Sequence, residues 1–222
     1  MTEAKPVHVW LAGGTGLVGS ALLARLRTHP RVATIDALCR QSPSAAQTGV
    51  QWRPWSWLDE GADLACDVAF CCLGTTHKQA GSKAAFAAVD RDLVLRFAER
   101  AQQAGAQRFG LVSSVGASSR ARSHYMRIKG EVEERLRAMD FAALPIVQPS
   151  LLLGARKDTR VAEDLAQRCA PLVGGLMRGS LARYRPVPAD RVADCLLTAT
   201  LEGEPGVQVH YPWLTDARRP EN

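Results

Sequence analysis

The stretch VHVWLAGGTGLVGSALLARL, residues 7–26, constrains the fold more than any other part of the chain. A short apolar run stops at glycines, and Leu17, Leu22, Leu23 and Leu26 then fall mostly on one helical face. That order reads as strand, glycine turn and helix. Gly13, Gly16 and Gly19 follow GxxGxxG spacing within it. Glycine lets a backbone approach a pyrophosphate closely, and the N-terminus of the following helix offers free N–H groups and a positive dipole. Close strand-to-helix packing alone is the other reading of such a turn. The strand and helix on either side favour a dinucleotide site.

The rest of the chain repeats the alternation. ATIDALCR (33–40) and DVAFCCLG (67–74) read as strands, and the second is almost continuously apolar, as a strand buried on both faces is. SKAAFAAVDRDLVLRFAERAQQA (82–104) has apolar residues at helical spacing and is stopped by Gly105. QRFGLVSS (107–114), FAALPIVQPS (141–150) and VQVHY (207–211) read as strands; HYMRIKGEVEERLRAM (124–139) and ADRVADCLLTATLEG (189–203) read as helices. Residues 159–182 carry a helical pattern broken by Pro171 and the glycines at 174 and 175. Strands alternating with helices predict an α/β protein of the Rossmann type, a doubly wound parallel sheet covered on both faces.

At 222 residues the chain suits one domain, expected over 1–211 with a minimal substrate region at about 153–186 and a loose tail over 212–222. No apolar run approaches the ~20 residues of a membrane helix. The N-terminus lacks a basic segment followed by an apolar core, so a cytoplasmic protein is expected. The six cysteines show no CxxC and no metal-ligand spacing, which leaves buried, reduced thiols as the reading, with a redox role for adjacent Cys71 and Cys72 as the alternative. The net charge of +6 is spread along the chain without a Lys/Arg run, which argues against nucleic acid and suits a small anion better.

In a doubly wound sheet, chemistry gathers beyond the carboxyl ends of the strands. The second strand ends at Arg40, where a base accommodates the extra phosphate of NADP and a carboxylate would instead hold the ribose of NAD. Asp36 lies about four residues before that end and points elsewhere. NADP is therefore favoured over NAD. Gly74 and Thr75 close the strand at 67–74, next to His77, for which no catalytic role is assigned. Ser113 and Ser114 close the strand at 107–114. Tyr125 and Lys129, at i and i+4, share one helical face. A hydride transferred to a carbonyl leaves an alkoxide that needs a proton, and a phenol supplies it well when a nearby ammonium lowers its pKa.

GGTGLVG, the strand-end serines and YMRIK resemble the short-chain dehydrogenase/reductase superfamily. FCCLGTT, VDRDLVL, LVSSVGA and KGEVEE are similar, more closely, to its atypical branch typified by the Tat-interacting oxidoreductase-like proteins. The resemblance implies that Gly13, Thr15, Gly16, Leu17 and Val18 line the pyrophosphate, Arg40 the 2′-phosphate, and Leu73, Gly74 and Thr75 the middle of the cofactor. It puts Pro149, Ser150 and Leu151 beside the nicotinamide. Ser114, Tyr125 and Lys129 become the catalytic set, with Ser113 the alternative serine. The implied activity is NADP-dependent reduction of a carbonyl or quinone-like small molecule. An NADPH-binding regulatory protein with a protein partner, or an epimerase or dehydratase, is the alternative. The chain is expected to do without the large C-terminal substrate domain of extended members. Arg120, Arg122 and Arg127 near the helix start favour an anionic substrate if they point inward.

Overall fold

Five of the six residues of β1 (Val7–Ala12) are buried, the pattern of a strand with helices on both sides. The structure, a computed structural model, describes residues 5–42, 48–60, 65–153 and 183–213, without the side chains of residues 77 and 78. Within them β1 pairs in parallel with β2 (Val32–Cys39) on one side and β4 (Val68–Cys71) on the other. With β3 (Val50–Pro54), β5 (Arg108–Val112), β6 (Ala143–Val147) and β9 (Gly206–His210), they form one seven-stranded parallel sheet in the order β3-β2-β1-β4-β5-β6-β9. Chain order reverses between β1 and β4, which opens a crevice at their carboxyl ends. A separate parallel pair joins β7 (Leu152–Leu153) to β8 (Val187–Pro188).

Each face of the sheet carries its own core. On one, α1 (Leu17–Leu26) and the last helix, α7 (Ala189–Leu201), cover Val9, Leu11, Phe70, Val112 and Val147. On the other, Trp10, Phe109, Leu111, Leu144 and Ile146 pack under α5 (Val94–Gln103) and α6 (His124–Arg137). The alternation of strand side chains puts Cys71 in the second core and Cys72 against the first. Burial pushes the Cys71 thiol up to about 12 and Cys72 well above the usual range. Neither is a thiolate at neutral pH, and the redox alternative has no reactive sulfur to work with.

The doubly wound parallel sheet is the one the sequence predicts. The differences are local. β3 and the β7–β8 pair are not among the strands read from the sequence, and β3 ends at Pro54, on the edge of the sheet where the missing N–H does no harm. The helix expected over 82–104 is interrupted: α4 (Lys83–Ala87) passes into a π-helical turn, Ala88–Leu93, before α5. Two further short helices, α2 (Trp57–Glu60) and α3 (His77–Ala80), lie in the connections around β4. The greater part of the expected substrate region, and the tail beyond 213, lie outside the described residues.

Close backbone approach explains the first turn. Gly13 has φ +83°, and a Cβ on it would stand 2.6 Å from the carbonyl carbon and oxygen of Cys72. A Cβ on Gly19 would stand 2.0 Å from the Gly13 oxygen, whereas Gly16 meets nothing nearer than 3.3 Å. Gly19→Ala is therefore expected to destabilise the fold by about 2–3 kcal/mol, a fall in Tm of roughly 5–10 °C. Gly16→Ala should cost at most about 1 kcal/mol. Paired thermal unfolding of the two variants checks this, and equal Tm values would contradict it.

Candidate active site

The turn after β1 is shaped as a cradle. Gly16 caps α1 in an extended conformation, no side chain caps the helix, and no acidic residue stands in its first turn. The amides of that turn are thus left for an external anion. A Cβ on Gly13 would fill the space between the turn and the Cys72–Leu73 backbone, so the bare glycine keeps β1 and β4 close at the crevice. These features fit a dinucleotide pyrophosphate. Thr15 is exposed, and Gly16 and Leu17 are partly so. Val18 differs: its side chain is in the core at 5% exposure, and it can offer the turn only its amide.

At the end of β2, Arg40 is exposed. Asp36 is committed elsewhere, its carboxylate accepting from Arg53 Nε at 2.7 Å. Arg53, on neighbouring β3, lies with its guanidinium carbon 5.3 Å from the Trp57 ring centre. The acidic candidate at this strand is thus held by an edge-strand arginine that the sequence reading did not single out.

The centre of the site is an ion pair. Lys129 Nζ lies 2.8 Å from Asp90 Oδ1, with the two side chains 6% and 0% exposed. The same ammonium is 3.5 Å from the Leu73 carbonyl oxygen, and the Thr75 amide donates to the other Asp90 oxygen at 2.9 Å. One buried carboxylate therefore ties α6 to the chain leaving β4. Burial of the ammonium lowers the Lys129 pKa, but Asp90, with Tyr125 behind it, outweighs this and holds the value above that of an ordinary lysine. Lys129 is a cation at neutral pH. Tyr125 is half-buried, its ring centre 5.6 Å from that of fully buried Phe86 on α4.

Asp90 projects from the π turn. Such a turn adds one residue to a helix and rotates the segments on either side of it relative to each other, and it recurs at functional sites. Sequence reading placed this segment in a helix without marking Asp90. The signal was present: Phe86, Asp90, Val94 and Ala98 recur every four residues, and a carboxylate stands in an otherwise apolar stripe.

The two strand-end serines separate clearly. Ser113 Oγ donates to Glu133 Oε1, which also accepts from Gln148 Nε2 at 2.8 Å, and Arg137 Nη2 donates to the other oxygen at 3.0 Å. Ser113 is thus bound into a buried network. Among the described residues, Ser114 Oγ has only a 3.5 Å contact to the Val115 carbonyl. The loop between β5 and α6 folds tightly onto the helix start, with the Ser118 amide donating to the Met126 carbonyl at 3.1 Å. Gly130 permits this, since a Cβ there would stand 2.1 Å from the Ser118 carbonyl carbon.

After β6, the Pro149 carbonyl accepts from the Val115 amide at 2.9 Å, and Ser150 Oγ donates to the Arg185 carbonyl. Leu151 is 64% exposed. Gly74 is exposed, while Leu73 and Thr75 are half-buried. The three arginines near the helix start do not form an inward cluster. Arg120 and Arg122 are exposed, and Arg127 pairs with Glu131 at 3.9 Å. The side chain of His77 is outside what is described.

Comparison with known proteins agrees with this construction. Residues 9–170 match the model of the NAD dependent epimerase/dehydratase family. Protein fmp52-1, mitochondrial, of Aspergillus terreus is 33% identical over 207 residues, 89% of this chain and 89% of that protein. Protein HTATIP2 of Rattus norvegicus is 43% identical over 102 residues, 46% of this chain and 42% of that one, in keeping with the Tat-interacting branch that the motifs resemble. Among solved structures, a UDP-glucose 4-epimerase of Thermotoga maritima superimposes with a TM-score of 0.68 at 15% identity, covering 91% of this chain and 75% of its own. The expectation of a cytoplasmic protein is corrected here, because the fmp52 relatives carry the name mitochondrial. A short N-terminal segment without a secretory pattern does not exclude that compartment. With a family model over most of its length, and a glycine turn at the crevice that fits a pyrophosphate, the chain belongs to the NAD-dependent epimerase/dehydratase family, as an NAD(P)-binding, oxidoreductase-type enzyme of the atypical short-chain dehydrogenase/reductase group.

Proposed function

We propose that this protein is an NADP-preferring reductase of a carbonyl or quinone-like small molecule, with Tyr125 as proton donor. The observation that carries the reading is the buried Lys129, held by Asp90 and the Leu73 carbonyl beside Tyr125. When bound, a reduced nicotinamide supplies a hydride to the carbonyl carbon. The residues do the rest. Ser114, whose hydroxyl has no strong partner among the described residues, orients the carbonyl oxygen by donating a hydrogen bond to it. Tyr125 transfers its phenolic proton to that oxygen as negative charge develops there. Lys129 stays protonated and favours the phenolate left behind. Phe86 keeps the ring in place from the other side.

The NADP preference rests on Arg40 being exposed at the end of β2 and on Asp36 being engaged by Arg53. An Asp36 free to accept from ribose hydroxyls would favour NAD. A second reading, an epimerase or dehydratase using a transient hydride transfer, is favoured by the family model itself and uses the same residues. It is told apart by hydride balance: a reductase consumes reduced cofactor and leaves its labelled hydride in the product, whereas an epimerase starts from the oxidised cofactor, returns the substrate's own hydride to the substrate and consumes no cofactor.

Tyr125→Phe is expected to lower kcat for carbonyl reduction by roughly 10²–10⁴-fold with NADPH affinity retained. Unchanged turnover would remove the tyrosine from the mechanism. Arg40→Ala should weaken NADPH binding by about ten- to a hundredfold, the worth of one or two charge-assisted hydrogen bonds, and leave NADH binding as it was. Calorimetric titration with both cofactors reads this directly. Asp90→Asn leaves Lys129 buried without its counter-charge and should destabilise the fold by about 3 kcal/mol. The same substitution lowers kcat, because the lysine then shifts toward its neutral form. A variant as stable and as active as the parent would show that the pair positions nothing.

A further inference from the structure

Beyond the loop that follows Ser114 lies a cavity of about 400 Å³ whose lining contains none of Ser114, Tyr125 and Lys129. Its walls are the 115–119 loop, the row of α6 containing Gly130, Glu133 and Arg137, the end of β9, and Arg183 with Tyr184 just before β8. The volume is in the range of small-molecule sites.

The charged side chains lining this cavity, Glu133 and Glu134 against Arg137 and Arg183, sum to zero, but they are not all paired with one another. Glu133, 3% exposed, is satisfied on both oxygens by Ser113, Gln148 and Arg137. Glu134 accepts from the Ser119 hydroxyl. Arg137 is neutralised by Glu133 at 3.0 Å. Arg183 is left over. Its guanidinium carbon lies 5.0 Å from the Tyr184 ring centre and 5.9 Å from that of Tyr211, and no carboxylate among the described residues forms an ion pair with it. Its Nε is buried without an acceptor. A guanidinium cannot shed its charge, and a buried donor left unpaired is costly, so the site is completed by an anion that accepts from it. The two tyrosines flank that position with flat apolar faces and hydroxyl tips.

We propose that this cavity seats the anionic end of the substrate, a carboxylate or phosphate attached to a ring, with Arg183 as its counter-ion and Tyr184 and Tyr211 beside the ring. The assignment as substrate rests on the reductase reading; the binding does not. The cavity begins at Val115, one residue after Ser114, and the Val115 amide is fixed by the Pro149 carbonyl. On the reductase reading, a ring compound anchored at Arg183 lies in a cavity whose lining reaches the residue next to the serine. The anionic substrate expected from Arg120, Arg122 and Arg127 is thus placed on a different cation.

The test is calorimetric titration of the NADPH-saturated full chain with benzoate and, separately, phenyl phosphate. At least one probe is expected to bind with a Kd of about 1 mM or tighter, and the stronger of the two names the anion. Arg183→Gln should weaken that binding tenfold or more, Arg183→Lys less, and Tyr125→Phe not at all. Binding that is equal in the parent and in Arg183→Gln, or no binding of either probe to the parent, overturns the proposal. An unfolded Arg183→Gln is recognised by its circular dichroism, and the lysine variant then decides. Full turnover in Tyr125→Phe with probe binding lost in Arg183→Gln would remove the reductase reading and leave the anion site. The opposite pattern would remove the anion site alone.

Discussion

A carboxylate with no exposed surface, 2.8 Å from an ammonium that is nearly as buried, is the contact on which the active-site side of this molecule depends. Two charges removed from water are costly, and further contacts on each partner help to make the pair tolerable. Asp90 accepts from the Thr75 amide while pairing with Lys129, and Lys129 also reaches the Leu73 carbonyl. Three segments distant in sequence are thereby fixed to one another: the π turn, α6 and the chain leaving β4. The face of α6 that carries Tyr125 is oriented by this pair, since Tyr125 precedes Lys129 by one helical turn.

The crevice for the cofactor depends on a different kind of constraint, steric rather than electrostatic. Gly13 and Gly19 are glycine because backbone occupies the space a side chain would need. Their effect is to bring the carboxyl ends of β1 and β4 together and leave the first amides of α1 without an internal partner. Gly130 does the same for the other half of the site, letting the 115–119 loop lie on α6. Close packing therefore sets the distance between the two halves, and the ion pair sets their orientation.

Much of this was legible in the sequence, and the parts that were not have physical reasons. β1, β4 and β5 are buried on both faces and declared themselves as apolar runs ending in glycine or serine. Tyr125 and Lys129 were legible as spacing, and the glycine turn as pattern. β3 was not legible, because an edge strand built from Val, Gln, Trp, Arg and Pro needs little apolar continuity. Ser113 and Ser114 were indistinguishable as letters; only the Glu133 network separates them. The role of Arg183 depends on which nearby acids already have a cation or a hydrogen-bond donor, a property of three-dimensional neighbours that no spacing rule carries.

The π turn also divides one helix between two tasks. Phe86 and Phe97 are both fully buried and stand eleven residues apart, a separation that in an unbroken α-helix would place them on nearly the same face. Here they serve different surroundings: Phe97 packs with Trp10 and Phe109 over the sheet, while Phe86 lies against the rings of His124 and Tyr125. The extra residue in the turn works as a swivel between a half of the helix that packs on the sheet and a half that meets Tyr125. Were residues 88–93 to run as regular α-helix with every residue kept, the half that meets Tyr125 would face the wrong way.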